Sequence, residues 1–382
     1  GQPFVNDTFA LEHDLIINAL STEISSVGAG GGSIVSISAT GDVLVGPQSA
    51  GADPGPACYG RGGSAPTITD ACLLMGIIDP DGFADGEIRL DSALSLAAFE
   101  ALESRLDAHE RIAYAYRIAV HNIAEEVTNV AVRHGVDLRD FTLLAYGAAG
   151  PMLLPAALEQ LQVKSVVVPP HPGLFSALGL LSTDLVYYDS QSAYMLLTPD
   201  AAPRIAQMFE EMESRLRSRV AAGAEGLVVR RSFDGRLFGQ SWETPLVEVS
   251  EGAITAETVA AMIASFHEEY ERRHGNRFEA VPVQGVTYRV QLIVPVEKVD
   301  FASIAEDGGS GDPQPTRTRT ISYFDAEPFE APEYERARLA AGARIEGPAI
   351  VSEGLSTTFV CPGQNATVGR FGEIAITLEK RT

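Results

Sequence analysis

Phe141-Thr-Leu-Leu-Ala-Tyr-Gly-Ala-Ala-Gly-Pro-Met-Leu-Leu-Pro-Ala-Ala-Leu-Glu-Gln-Leu-Gln-Val-Lys-Ser-Val-Val-Val-Pro169 decides the fold. Residues 141–146 are an apolar, β-prone run and predict a buried strand, 151–162 predict a helix, and 164–169 predict a second strand. Strand, helix and strand in that order make a right-handed α/β crossover. Between the first strand and the helix lies Gly147-Ala-Ala-Gly-Pro151. Small residues at the carboxyl end of a strand open a crevice, and the next helix turns its positive amino end towards it. Pro151 suits the first helical turn. This segment is the better nucleotide candidate in the chain; a close-packed strand-to-helix turn is the alternative.

Upstream, Ile112, Tyr116, Ala119, Ile123, Val127 and Val130 recur near a 3.6 period and predict a helix over 109–134, stopped by Gly135. Residues 91–102 predict another, capped by Asp91. Two β-branched runs, 33–39 and 42–45, flank Thr40-Gly41-Asp42 and predict a hairpin. After Tyr194 the pattern changes. Helices are expected over 202–222 and 255–273, and strands over 227–233, 244–249, 285–294, 349–359 and 365–378. We therefore expect an α/β domain over 1–193 and a strand-rich α+β domain over 194–382. Glu306-Asp-Gly-Gly-Ser-Gly-Asp-Pro-Gln-Pro is low-complexity and reads as a mobile loop. No internal repeat stands out.

The 382 residues include 45% hydrophobic and 21% charged, an ordinary globular balance. Lys plus Arg number 28 against 51 Asp plus Glu, a net charge of −23, which repels phosphate backbones and anionic membranes. Neither nucleic acid nor a membrane is an expected partner. No apolar run reaches bilayer length, no secretory signal is evident, and three scattered cysteines make no disulfide framework, so the cytoplasm is expected.

Other segments carry potential chemistry. Val27-Gly-Ala-Gly-Gly-Gly-Ser33 precedes a strand, and its side-chain-free backbone could close around an anion or serve as a tight connection. Gly46-Pro-Gln-Ser-Ala-Gly-Ala-Asp-Pro-Gly-Pro-Ala-Cys-Tyr-Gly-Arg-Gly-Gly63 has no periodicity and reads as a long functional loop. Within it Asp53 and Cys58 could share a metal; alternatively Asp53 satisfies loop amides and Cys58 is a small buried hydrophobe. Asp70 caps a helix over 71–76 or binds a ligand. His171, between prolines, is held on a loop after a strand as a ligand group or a partly exposed histidine. No HExxH, CxxC pair or Gly-x-Ser-x-Gly elbow occurs.

Taken in order, these segments resemble the hydantoinase A/5-oxoprolinase family, which also includes large subunits of acetone and acetophenone carboxylases. The likeness runs through Thr69-Asp70-Ala71, Arg139-Asp-Phe141, Pro169-Pro-His-Pro-Gly-Leu-Phe-Ser-Ala-Leu-Gly179, Arg236-Leu-Phe-Gly-Gln240, Glu346-Gly-Pro-Ala-Ile-Val351 and Ser356-Thr-Thr-Phe-Val-Cys-Pro-Gly363. It implies part of an actin/Hsp70-like, ribonuclease H-like ATPase core. It implies ATP with Mg2+, used to phosphorylate a carbonyl or enolate oxygen of a small-molecule substrate. The activity would be cyclic-amide hydrolysis, with ketone carboxylation or a non-catalytic structural subunit as alternatives. Carried over residue by residue, the nucleotide contacts would be Gly28, Gly30, Gly31, Gly32, Ser33, Asp70, Gly147, Ala148 and Gly150.

Two departures matter. The family's Asp-x-Gly-Gly-Thr phosphate loop is absent, so the chain corresponds to a carboxyl-terminal half. With Gly1 rather than Met at its start, it is expected to be a split or processed product. A chain supplying the amino-terminal phosphate-loop lobe and a hydantoinase B-like subunit are the expected partners. Secondly, Leu153 stands where the family carries a His, so a further divalent metal at Asp53 and Cys58 would have lost a ligand.

Overall fold

The computed structural model describes residues 22–220, 225–300, 302, 312–324 and 327–379, and the short strands β1 (Val5–Asn6), β2 (Phe9–Ala10), β3 (Ile16–Ile17) and β4 (Ser21–Thr22). It is a mixed α/β structure with several sheets, forming two compact units: Gly1–Ile24 with Ser182–Lys298, and Ser25–Leu181 with Val299–Thr382. The grouping by contacts is thus not linear in sequence, because three of the last strands, within residues 344–378, join the sheet that holds two strands of residues 142–168.

In the second of these units, β5 (Ser33–Ile37) and β6 (Val43–Ser49) form the expected hairpin. Strand β6 takes up Gly46 to Ser49, so the aperiodic loop is shorter than its composition suggests. Helix α1 (Ile68–Leu74) starts at Thr67, α2 (Ser92–Glu100) at Asp91, and α3 (Ala108–His134) runs from Asp107 to a left-handed Gly135. Each amino-terminal cap accepts a backbone N–H that the helix cannot satisfy itself. Strand β7 (Thr142–Leu144) then departs from expectation, because Thr142 and Leu144 are exposed rather than buried. The helix expected over 151–162 is broken into α4 (Gly150–Leu153), a 3-10 turn and α5 (Leu158–Leu161). Pro155 has no N–H to continue the ladder. The side chains of Tyr116 and Gln364 occupy the carbonyls of Met152 and Pro155, at 2.7 and 2.6 Å. With β8 (Ser165–Val168) parallel to β7, the crossover stands, through a broken helix. Helix α6 (Phe175–Leu181) was not expected from the sequence.

The chain then builds the other unit. Strand β9 (Leu185–Leu196), also unexpected, is followed by α7 (Ala202–Arg217), β10 (Val228–Leu237), β11 (Thr244–Val249), α8 (Ala256–His274) and β12 (Val283–Val294). The sheet order is β11-β10-β12-β9. Phe209, Phe233, Phe266 and Tyr288 fill the core between the sheet and the two helices. His267 on α8 is also buried, and burial holds its pKa below the ordinary histidine value. The unfolded chain then binds the proton more readily, so stability is expected to fall as pH drops through about 6.5. Denaturant unfolding at pH 7.5 and 5.5 tests this, and His267→Gln should flatten the difference.

Strands β13 (Arg317–Ile321), β14 (Phe329–Glu335), β15 (Arg344–Glu346), β16 (Ala349–Glu353), β17 (Ser356–Val360), β18 (Gln364–Val368) and β19 (Ile374–Leu378) complete the unit of residues 25–181. The single strands expected over 349–359 and 365–378 are each a hairpin, turning at Gly354-Leu355 and at 369–373. One sheet has the order β13-β14-β16-β17; the other is β15-β18-β19-β8-β7, which leaves β7 at its edge. Residues 306–311 of the expected mobile loop lie outside the described residues.

Candidate functional site

The two glycine-rich turns meet. A Cβ built on Gly31 would lie 3.9 Å from the Cβ of Ala149 and 2.9 Å from Thr69 Oγ1. The first turn is folded by its own bonds: Gly30 N–H donates to Ser33 Oγ at 2.9 Å, and Ser33 N–H to the Gly30 carbonyl at 3.0 Å. Thr69 donates to the Gly31 carbonyl through its N–H at 2.8 Å and its hydroxyl at 2.9 Å. With that carbonyl held, the N–H groups of Gly31 and Gly32 find no acceptor among the described residues, and neither do those of Ala148 and Ala149. Gly147 has φ +79° and donates to the Pro172 carbonyl at 2.7 Å, a backbone conformation that a side chain would strain. Backbone N–H groups of glycine-rich turns that lack an acceptor in the chain are the kind of donor an anion can use. Gly28 plays a different part, since a Cβ there would come within 2.6 Å of the Pro47 Cα. It permits two backbones to pack.

Beside Ala148 a cleft of about 500 Å³ is lined also by Met152, Gly173, Asp79, Arg317, Arg319 and Glu333. Arg317 bridges Glu333, at 2.7 Å, and Asp79, and Arg319 lies 3.6 Å from Glu333. The bonds to Glu333 and then Asp79 raise the Arg317 pKa, while burial lowers that of Arg319. Burial works to raise the Asp79 pKa, but the bond from Arg317 and that from the Asp81 N–H outweigh it and hold the carboxyl low. Sequence reasoning missed this cluster because 238 residues separate Asp79 from Arg317. Thr69 was missed as well, although it sits in the Thr69-Asp70-Ala71 triplet.

Residues 5–188 match the hydantoinase/oxoprolinase family and residues 198–371 match the hydantoinase/oxoprolinase C-terminal domain. The chain belongs to the hydantoinase/oxoprolinase family. It is 28% identical to the caprolactamase subunit alpha of Pseudomonas jessenii, over 89% of this chain and 50% of that one. It is also 28% identical to the acetophenone carboxylase gamma subunit of Aromatoleum aromaticum, over 94% of this chain and 51% of that one. In fold it is similar to an acetone carboxylase chain solved without nucleotide, with a TM-score of 0.85, 20% identity, and cover of 99% of this chain and 55% of that one. The chain spans about half the length of these relatives.

The other residues singled out for the family's chemistry fall elsewhere. Asp70 is completely buried in the capping box of α1, at the third helical position rather than the cap itself, with five donors on its two oxygens. Cys58 is also completely buried, and its thiol is pushed far up, first by burial and then by the charge of Asp70. Asp53 is exposed. Leu153 lies in the core at 1% exposure. Among the described residues, no group of three or more His, Cys, Asp and Glu side chains could hold a metal. His171 is exposed, left-handed at φ 49°, and lines a smaller cleft with Arg336 and Glu353. Helix α4 has one turn, too little for a substantial dipole at its amino end. Among the described residues no helix is long and apolar enough to cross a membrane.

Proposed function

We propose that this chain forms one wall of the nucleotide site of an ATP-dependent enzyme that activates a cyclic amide for hydrolysis. The observation that carries the reading is the meeting of the turns 28–33 and 147–150 with four N–H groups that find no acceptor among the described residues. The parallel β7–β8 crossover, with its turn at the carboxyl end of β7, is consistent with part of an actin/Hsp70-like core in the unit that holds residues 25–181. ATP would supply the phosphoryl group that converts an unreactive amide oxygen into a phosphate ester. The chain's own contribution is positioning: backbone N–H groups of Gly31, Gly32, Ala148 and Ala149 orient phosphate oxygens, and Thr69 holds the first turn in place. The accompanying Mg2+ is assigned to the half of the enzyme that this chain does not span. Relatives named as subunits support an assembly, and the caprolactamase likeness favours amide hydrolysis. The equal identity to an acetophenone carboxylase subunit keeps ketone carboxylation as a second reading.

Isothermal titration decides whether the site exists. The chain alone should show little affinity for ATP, and its assembly with a polypeptide carrying the other half should bind in the micromolar range. An assembly that binds no ATP overturns the reading. Given ATP binding, lactam- or hydantoin-dependent release of phosphate separates the hydrolase from the carboxylase.

A further inference from the structure

The two glycine-rich turns do not account for the cleft of about 500 Å³ beside Ala148. Its lining residues all belong to the unit of residues 25–181 and 299–382. Its size falls within the range of small-molecule pockets, about 300–1,000 Å³. The rim is held by the backbone. Ala84 and Asp85 have φ of 51° and 59°, and the Asp85 N–H donates to the Gly354 carbonyl at 2.6 Å. Non-glycine residues stay in that left-handed region only where their neighbours hold them. On the facing wall Gly173 packs on Leu355, where a Cβ on the glycine would come 2.9 Å from the leucine Cβ.

The wall carries three kinds of chemistry. Ile78, Phe83, Met152 and Leu355 are apolar. The charged residues are all paired: Arg317 with Glu333 and Asp79, Arg319 with Glu333, Glu335 with Arg338 at 2.7 Å, and Glu353 with Arg336 at 2.9 Å. An ionic ligand would have to break one of these pairs, and at buried Glu333 that strands a charge. A neutral ligand meets no such cost. The third kind is a hydroxyl without a partner. Ser356 lines the cleft and is 7% exposed, and its Oγ finds no hydrogen-bond partner among the described residues. Thr358, on the same face of β17 and completely buried, also has an unpartnered hydroxyl. Buried hydroxyls are bonded as a rule, so an unbonded one on a cleft wall points to a polar group in the occupant.

We propose that this cleft takes the cyclic amide itself, with Ser356 bonding the amide group and Ile78, Phe83 and Met152 packing on the ring. The inference rests on the reading of the chain as part of an ATP-dependent amide hydrolase. A lactam is neutral, has an apolar ring, and joins one N–H donor to one C=O acceptor; a hydroxyl can serve either. The position suits the chemistry as well. Ala148 lines the cleft, and its N–H is one of those that find no acceptor among the described residues. An oxygen about to receive a phosphoryl group must lie about 3–3.5 Å from the phosphorus, so substrate and phosphate have to be held by neighbouring residues. The ring-opened product, an ω-amino acid, carries two charges and fits a wall of paired charges poorly.

The test is lactam binding to the chain alone, since the cleft is built within one unit. Titrated by saturation-transfer NMR, ε-caprolactam should bind with a Kd in the millimolar range, and 6-aminohexanoate at least about 10-fold more weakly. The lactam should slow amide exchange within residues 82–85 and 355–357. Ser356→Ala should weaken caprolactam about 10-fold while the unfolding midpoint holds or rises, because the hydroxyl removed has no partner in the chain. No saturable lactam binding, equal binding of the amino acid, protection elsewhere in the chain, or a Kd unchanged in Ser356→Ala overturns the proposal. So does a midpoint that falls by several degrees in that variant, which would make the hydroxyl a structural group. Acetophenone bound in preference to the lactam overturns it in favour of a ketone. ATP titration of the assembly is read separately. Lactam bound by the chain, with an assembly that binds no ATP, overturns the nucleotide reading and leaves the cleft standing; ATP bound without lactam does the reverse.

Discussion

Asp70→Asn is expected to remove about 3–5 kcal/mol of stability, as at least two hydrogen bonds to a charged group are lost at about 1.5–3 kcal/mol each. The carboxylate accepts N–H groups from Cys58 at 2.8 Å, Ala57 at 3.3 Å and Thr67 at 2.8 Å, and hydroxyls from Thr67 at 2.8 Å and Ser95 at 2.6 Å. It therefore ties together the turn before Tyr59, the start of α1 and the middle of α2. No water reaches it. Asparagine keeps the shape but turns one acceptor into two donors, which then face N–H and O–H groups that already donate. At least two of the five bonds are lost with no water to replace them, and bonds to a charged group are the strong ones. Calorimetry should record the unfolding transition of the unit containing Asp70 about 10 °C lower, the shift expected of a unit of about 240 residues. A loss below about 1 kcal/mol would mean that the donors find other partners and that the carboxylate is not the centre of this junction.

How much of this was legible in the sequence depends on whether the signal was local. Helices α2, α3 and α8 carry their own caps and stops, with Asp91 before the first, Asp107 and Gly135 around the second, and Thr255 and Gly275 around the third, and they fold where the periodicity places them. The Gly28–Ser33 and Gly147–Gly150 turns stand out by composition alone. Their juxtaposition is tertiary, since nothing in either segment encodes the 3.9 Å approach of Gly31 to Ala149. The apolar run at 141–146 was read as buried because local sequence distinguishes an interior strand from an edge strand only when the edge is charged or broken. Strand β9 escaped notice because Asp189-Ser-Gln-Ser192 is polar on both faces of the strand and erases the period-2 pattern. Pro155 is a local break signal inside the helix expected over 151–162, and two long-range side-chain bonds make a broken helix acceptable there.

Gly31→Val should lower ATP-dependent turnover of the assembly at least 100-fold, the cost attached to misplacing a binding group by about 1 Å. The backbone at Gly31 does not require glycine for its dihedrals, so the effect comes from space. A Cβ already approaches Thr69 Oγ1 to 2.9 Å, and the two methyl groups of valine extend from it into a gap where Ala149 stands 3.9 Å from that Cβ. Either Thr69 releases the Gly31 carbonyl or the two turns separate; both outcomes re-aim the free N–H groups. Gly31→Ala is the graded comparison: its single methyl meets a hydroxyl that can rotate, and a loss of about 10-fold is expected, with the damage growing with side-chain volume. Unfolding midpoints of the two variants within a few degrees of the parent exclude a general loss of fold. The partition of the loss is informative. If the N–H groups hold ATP in the ground state, the Kd for ATP rises with the loss of turnover. If they act on charge that develops during transfer, Kd holds and kcat falls. Turnover within threefold of the parent for Gly31→Val would separate the first turn from the nucleotide and leave it as a packing device between the hairpin and α1.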